Sequence, residues 1–156
     1  MHPSSATEKY LQTMVLTASP AKLRYLLLER AVALAETIKE NRMRNPERLV
    51  DEKTVTLRDI LGELLAGVKR SDEKLAITVS DLYIFLIQEL TYAEQEPGTD
   101  RIDTITHILE IERETWRQVC ESQSQRSAPP PMAAMGGAFL NAGASPTAAK
   151  SLNFNA

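Results

Sequence analysis

The chain has 156 residues, 43% hydrophobic, 5% aromatic and 25% charged, with a formal net charge of -3. That is the profile of one soluble domain, or one domain and a tail, long enough to bury a core without a disulfide or a metal. A single cysteine, Cys120, excludes an intramolecular disulfide and any zinc site needing two or more thiolates, and it points to a reducing compartment. Charges of both signs are interspersed and acids exceed bases, so nucleic acid is not an expected partner.

Residues 1–7 are polar and lack the basic start and apolar run of a signal peptide. Residues 8–16 carry a short apolar arc of Tyr10, Leu11, Met14 and Val15, which predicts a turn of helix or an extended strap that packs on something. Apolar residues then recur at helical spacing in four segments, and none of these alternates as a strand. The first opens at Ser19-Pro20, a hydroxyl cap followed by a proline where its missing N–H costs nothing, and continues through Leu23, Leu26, Leu27, Ala31, Leu34 and Ile38. The second is expected to open at Asn45-Pro46 by the same device, with residues 51–54 weakly patterned and frayed, before Leu57, Ile60, Leu61, Leu64 and Val68 take up the stripe.

Ser71, Asp72 and Glu73 predict the third start, followed by Leu75, Val79, Leu82, Leu86, Leu90 and Ala93. After the break at Pro97-Gly98, Thr99-Asp100 restarts the chain, and Ile102, Ile105, Leu109, Trp116 and Val119 form the fourth stripe. The expected fold is all-α, an antiparallel up-down four-helix bundle over residues 19–123. An N-terminal strap or short helix (1–18) precedes it, and a disordered Ala/Pro/Gly/Ser-rich tail (124–156) follows. The longest continuous apolar run, residues 82–87, is far below the ~18 residues of a membrane span, so membrane insertion is not expected.

Catalytic chemistry has little to work with. Asp103, His107, Glu110 and Glu114 share one face of the fourth segment, but that face lies opposite Ile105, Leu109 and Trp116 and is expected to look into water. A di-iron bundle needs Glu-x-x-His on two helices, and no Glu precedes His107 at that spacing. A phosphotransfer histidine needs a nearby cation, whereas Ile108, Leu109 and Glu110 follow His107. Cys120 has no histidine close in sequence and is expected as a small buried hydrophobe. No phosphate loop, dinucleotide fingerprint or nucleophile elbow occurs, so neither an enzyme nor a cofactor or metal is expected.

The apolar surface is more informative. With Leu82, Tyr83, Leu86 and Leu90 toward the core, Ile84, Phe85 and Tyr92 are left on flanking or outward faces, and Tyr25 and Leu28 similarly widen the first stripe. Such an excess is covered by the N-terminal strap, paired in a homodimer, or kept for a partner segment.

One stretch carries a resemblance. Tyr10, Val15 and the run Thr17-Ala18-Ser19-Pro20 with Leu23, leading into a leucine-rich helix, resemble the opening of the flagellin export chaperones of the FliS family. Ile60-Leu61 with Leu64 resembles that family's second helix, Leu82-Tyr83 with Leu86, Leu90 and Ala93 its third, and Arg113-Glu114 with Trp116 its closing helix. The resemblance implies a cytoplasmic helical bundle that binds the C-terminal segment of flagellin, blocks early polymerisation and passes its client to the flagellar type III export apparatus. It also implies partner contacts at Tyr10 and Val15 on the strap and at Leu27, Ile60, Leu64 and Tyr83 along the groove, Tyr83 serving either groove or core. Two departures stand out: Leu28-Glu29-Arg30 where the family has an aromatic, an Asp or Asn and a Gly, and Ala93-Glu94 where it often has Ala-Asn. The alternative is a self-associating structural or signalling bundle with a homodimer interface; monomer and homodimer both stay open.

Overall fold

The computed structural model describes residues 5–68 and 73–129; the side chains of Leu11, Met14, Val15 and Leu16 lie outside that description, as do the expected start at Ser71-Asp72 and tail residues 130–156. The described residues form five helices and no strand: α1 (Ser5–Thr17), α2 (Pro20–Arg44), α3 (Glu52–Ala66), α4 (Glu73–Ala93) and α5 (Asp100–Ser127). The apolar arc near the N-terminus is thus helical. The chain divides after Arg126 into two units, and the helical core belongs to the first.

Helix α3 packs against both α2 and α4. The core is made of Leu28, Ala31, Val32, Ala35 and Ile38 from α2, Leu57, Leu61 and Leu64 from α3, Tyr83, Leu86 and Leu90 from α4, and Ile102, Ile105 and Leu109 from α5. Polar ties join the late part of one helix to the early part of another: Lys39 of α2 with Asp103 of α5, Arg58 of α3 with Glu94 beyond α4, and Arg101 of α5 with Glu89 of α4 at 3.0 Å.

The start of α2 is as the sequence dictates. Ser19 is the N-cap, its hydroxyl accepting from the Lys22 N–H at 3.2 Å, and Pro20 takes the first helical position. Its buried row, however, runs one residue later than the row through Leu27: Leu28 is wholly buried, while Leu23, Leu26 and Leu27 are half-buried. Leu28 at the first departure from the family pattern is therefore a core residue, and Glu29 beside it is exposed, accepting from the Tyr25 hydroxyl at 2.6 Å.

Asn45-Pro46 does not start a helix. Asn45 caps the C-terminus of α2, its N–H donating to the Asn41 carbonyl, and α3 begins six residues later behind Asp51. There the Lys53 and Thr54 N–H groups donate to the Asp51 carboxylate (2.9 and 3.0 Å) and the Asp51 N–H donates to the Thr54 hydroxyl at 2.8 Å. This reciprocal capping box holds the segment expected to fray. Arg42, almost wholly buried, locks the adjoining turns by donating Nη2 to the Leu49 carbonyl (2.9 Å) and Nη1 to the Gly98 carbonyl (3.1 Å).

Partial burial pushes the Asp51 carboxyl up, but the Thr54 and Lys53 N–H groups, the Asn41 amide and the Thr54 hydroxyl outweigh it, and the group sits below its ordinary value. Its contribution is therefore complete at neutral pH and is lost as pH falls below the unfolded-state value of ~3.9 toward the folded one. Asp51→Ala is expected to cost about 1 kcal/mol at pH 7 and progressively less below pH ~4. Urea melts of both proteins across that range check it, and a pH-independent difference refutes the cap.

Helix α4 is, by length and composition, apolar enough to cross a membrane, a property invisible in the interrupted run of residues 82–87. Within the bundle it behaves as a core helix, with Tyr83, Leu86 and Leu90 wholly buried. Its outer side keeps the expected apolar excess: Ile84, Phe85 and Tyr92 are exposed, joined by Ile77. Leu75, expected on the core stripe, is also exposed.

Candidate functional site

The acidic face of α5 is a solvated ion-pair surface. Asp103 pairs with Lys39, His107 is exposed, and the Arg117 guanidinium, with help from the Gln118 amide, holds the exposed Glu114 carboxyl down at about 2. Among the described residues no group of three His, Cys, Asp or Glu side chains is placed to hold a metal ion. Cys120 is a half-buried free thiol.

A groove lies on another part of the helical unit. The first two turns of α2, the end of α3 and the start of α4 diverge around a groove of about 560 Å³. Ala21, Leu23, Leu27, Leu64, Val68, Ala76, Val79 and Trp116 make most of its wall, with Arg24, Glu63 and Gln123 as its polar lining. The geometry follows from the sequence locally. Ser19 caps α2 and Pro20, its first residue, lines the groove, with Leu23 and Leu27, one turn apart, on the same side. Gly67 ends α3, and the absence of a side chain there matters: a Cβ would stand 3.3 Å from the Glu63 carbonyl and 3.6 Å from Arg24 Nη1.

Arg24 is the chemical centre of this groove. The residue is 9% exposed; its guanidinium lies over the rings of both Tyr83 and Trp116 at 5.0 Å from each centroid and donates Nη1 to the Leu64 carbonyl at 3.1 Å. Tyr83 is wholly buried beneath it and donates its hydroxyl to Glu112 at 2.9 Å. Burial and the Glu112 carboxylate hold that phenol far above its ordinary pKa, against a smaller opposing pull from Arg24. Trp116 is thus half-buried wall, stacked on a cation, and not the fully buried core residue its stripe predicts.

Of the residues singled out in the sequence, Leu27 and Leu64 meet in this groove. Tyr83 forms the layer under Arg24. Ile60, expected in the groove, is packed in the core at 8% exposure and is not part of this wall, because α3 turns it toward Leu57 and Leu61's layer. Tyr10 stands exposed on α1 at 68%, and the side chain of Val15 lies outside the described residues. Leu23, Arg24, Ala76 and Val79 were not singled out as partner contacts. The signal for Arg24 was available, since counting back from Leu28 by four places it on the buried row.

A family model described as Flagellar protein FliS matches residues 3–123. The chain belongs to that family. It follows that the helical bundle is a FliS bundle and that its general role is that of a flagellar chaperone, in a family of chaperones and not of enzymes. A comparison with curated proteins finds no match. Both departures from the FliS pattern have structural occupants: Leu28 fills the core, and Glu94 pairs with Arg58.

Proposed function

We propose that this chain is a cytosolic export chaperone that binds the C-terminal segment of flagellin, prevents its premature polymerisation and escorts it to the flagellar type III export apparatus. The observation that carries the reading is the apolar groove between the start of α2, the end of α3 and the start of α4. Membership of the FliS family supports a flagellar client for it. A groove of this size takes a few apolar side chains of a helical segment, in the manner of a helix laid into a hydrophobic groove. Burial of ~1,000 Å² at ~25 cal/mol/Å² exceeds the ordering entropy of a short peptide only modestly, which suits a client that must later be released.

Isothermal titration of the full chain with the C-terminal segment of flagellin from the same genome tests it. Micromolar or tighter binding is expected; no heat and no co-purifying complex sink the reading. A second reading, self-association, is favoured by the exposed Ile77, Ile84, Phe85 and Tyr92 on the outer side of α4. It requires a dimer in light scattering that Phe85→Asp dissolves, and a monomer at high concentration excludes it.

A further inference from the structure

Two arginines lie on the buried row of α2, and they are treated differently. Arg42 has a carbonyl acceptor at both of its Nη groups, and only its Nε is without one. Arg24 has one acceptor, the Leu64 carbonyl at Nη1, while its Nε and Nη2 are buried with no hydrogen-bond partner. A buried donor left without an acceptor bears its whole desolvation penalty, and native structures keep such groups rarely and for a reason. Nε and Nη2 lie on one edge of the guanidinium and present two parallel N–H bonds, the fork that matches the two oxygens of a carboxylate. Among the described residues no carboxylate forms an ion pair with Arg24; its guanidinium sits against two ring faces and the Leu64 carbonyl, and Glu112 is reached only through the Tyr83 hydroxyl. Arg24 is part of the wall of an otherwise mostly apolar groove.

We propose that Arg24 is the polar anchor of this groove, its Nε and Nη2 receiving one carboxylate carried on an otherwise apolar segment of the client. The proposal rests on the chaperone reading and adds what that reading lacks, the chemistry that fixes register. Leucine and valine walls accept any apolar helix at several registers, whereas a bidentate contact in a dry site accepts one. The free protein keeps two unsatisfied donors, and the client's carboxylate satisfies them on docking. The carboxylate is supplied either by an Asp or Glu side chain within the segment or by the client's own C-terminus.

The test titrates the full chain and its Arg24→Met and Arg24→Lys variants with the C-terminal segment of flagellin from the same genome. The peptide is made in three forms: unaltered, with the C-terminal amide, and with its Asp and Glu residues changed to Asn and Gln. Arg24→Met is expected to bind the unaltered peptide about tenfold or more weakly, the loss of a charge-assisted bidentate contact. It is also expected to melt within a few degrees of the parent, because the orphan donors leave with the charge. One of the two altered peptides should lose the same factor against the parent and lose nothing further against Arg24→Met; which one identifies the source of the carboxylate. Arg24→Lys, charged but without the fork, should recover part of the affinity. Undiminished binding by a folded Arg24→Met, or a loss at Arg24→Met that neither altered peptide reproduces against the parent, overturns the anchor and leaves the chaperone reading standing. Failure of the parent to bind any of the three peptides removes both.

Discussion

Leu23→Asp is expected to weaken binding of the flagellin segment by a hundredfold or more while leaving the bundle folded. Leu23 lines the groove and is half-buried, so an occupied groove closes over the new carboxylate. A carboxylate desolvated in the apolar wall costs several kcal/mol, which at 1.4 kcal/mol per tenfold is the stated loss, and one that reached the Arg24 donors would displace the client's own. The helix itself gains from the change. Position 23 lies in the N-terminal turn of α2, which has no acidic residue in its first turn, and a negative charge there complements the dipole. Circular dichroism should therefore show a native spectrum. His107→Ala, on the exposed face of α5, should leave affinity unchanged. Parent-like affinity in a folded Leu23→Asp protein places the client elsewhere. Ile60 is a poor probe for the same purpose: it sits in the core, and a carboxylate there is expected to unfold the bundle before it says anything about the groove.

That contrast shows where the sequence could be read and where it could not. The all-α class, the Ser19-Pro20 start and the break at Pro97-Gly98 rest on local chemistry, in caps and chain breakers that act within a few residues, and they were legible; that residues 5–17 are a helix and not a strap was not. Asn45-Pro46 carries a similar signal and is a helix end. The difference lies in Arg42, which reaches across to the Leu49 and Gly98 carbonyls and fixes the turn from outside it. The true start of α3, at Asp51, uses Thr54 in place of the usual Glu or Gln, so its reciprocal box escaped a pattern search.

Only the first turns of the α2 stripe differ from expectation, because Leu26, Leu27 and Leu28 are consecutive and any of them fits a helical stripe, whereas Ala31, Leu34 and Ile38 are buried as expected. Choosing among them requires knowing which row α3 meets. Arg24 and Arg42 carry that information: both fall on the row of Leu28, and both are buried with main-chain carbonyls as acceptors. Leu27 and Leu64 were placed in the groove by family resemblance, and the residues between them by geometry alone.

Tyr83, which the resemblance leaves between groove and core, has the second large expected effect. Its ring is wholly buried between the core leucines and the Arg24 guanidinium, so Tyr83→Ala opens a cavity and strips one face from Arg24 at once. A loss of about 3–5 kcal/mol is expected, roughly 10 °C in melting temperature for a domain of this size. Tyr83→Phe separates the ring from the hydroxyl, which donates to Glu112 at 2.9 Å. Because burial and Glu112 raise the folded-state pKa of the phenol, the folded protein keeps its proton where the unfolded chain loses it. Tyr83 therefore stabilises fully below the unfolded value of ~10, and that contribution is lost as pH rises above it toward the folded value. The parent is expected to lose stability between pH 9 and pH 11 more steeply than Tyr83→Phe, whose buried ring has nothing to ionise. Denaturant melts of the two proteins at pH 7, 9, 10 and 11 measure the difference directly. Parallel pH profiles mean that the hydroxyl is not held as the geometry states. A Tyr83→Phe protein that melts like the parent yet loses its client moves Tyr83 from the support of Arg24 to the binding surface itself.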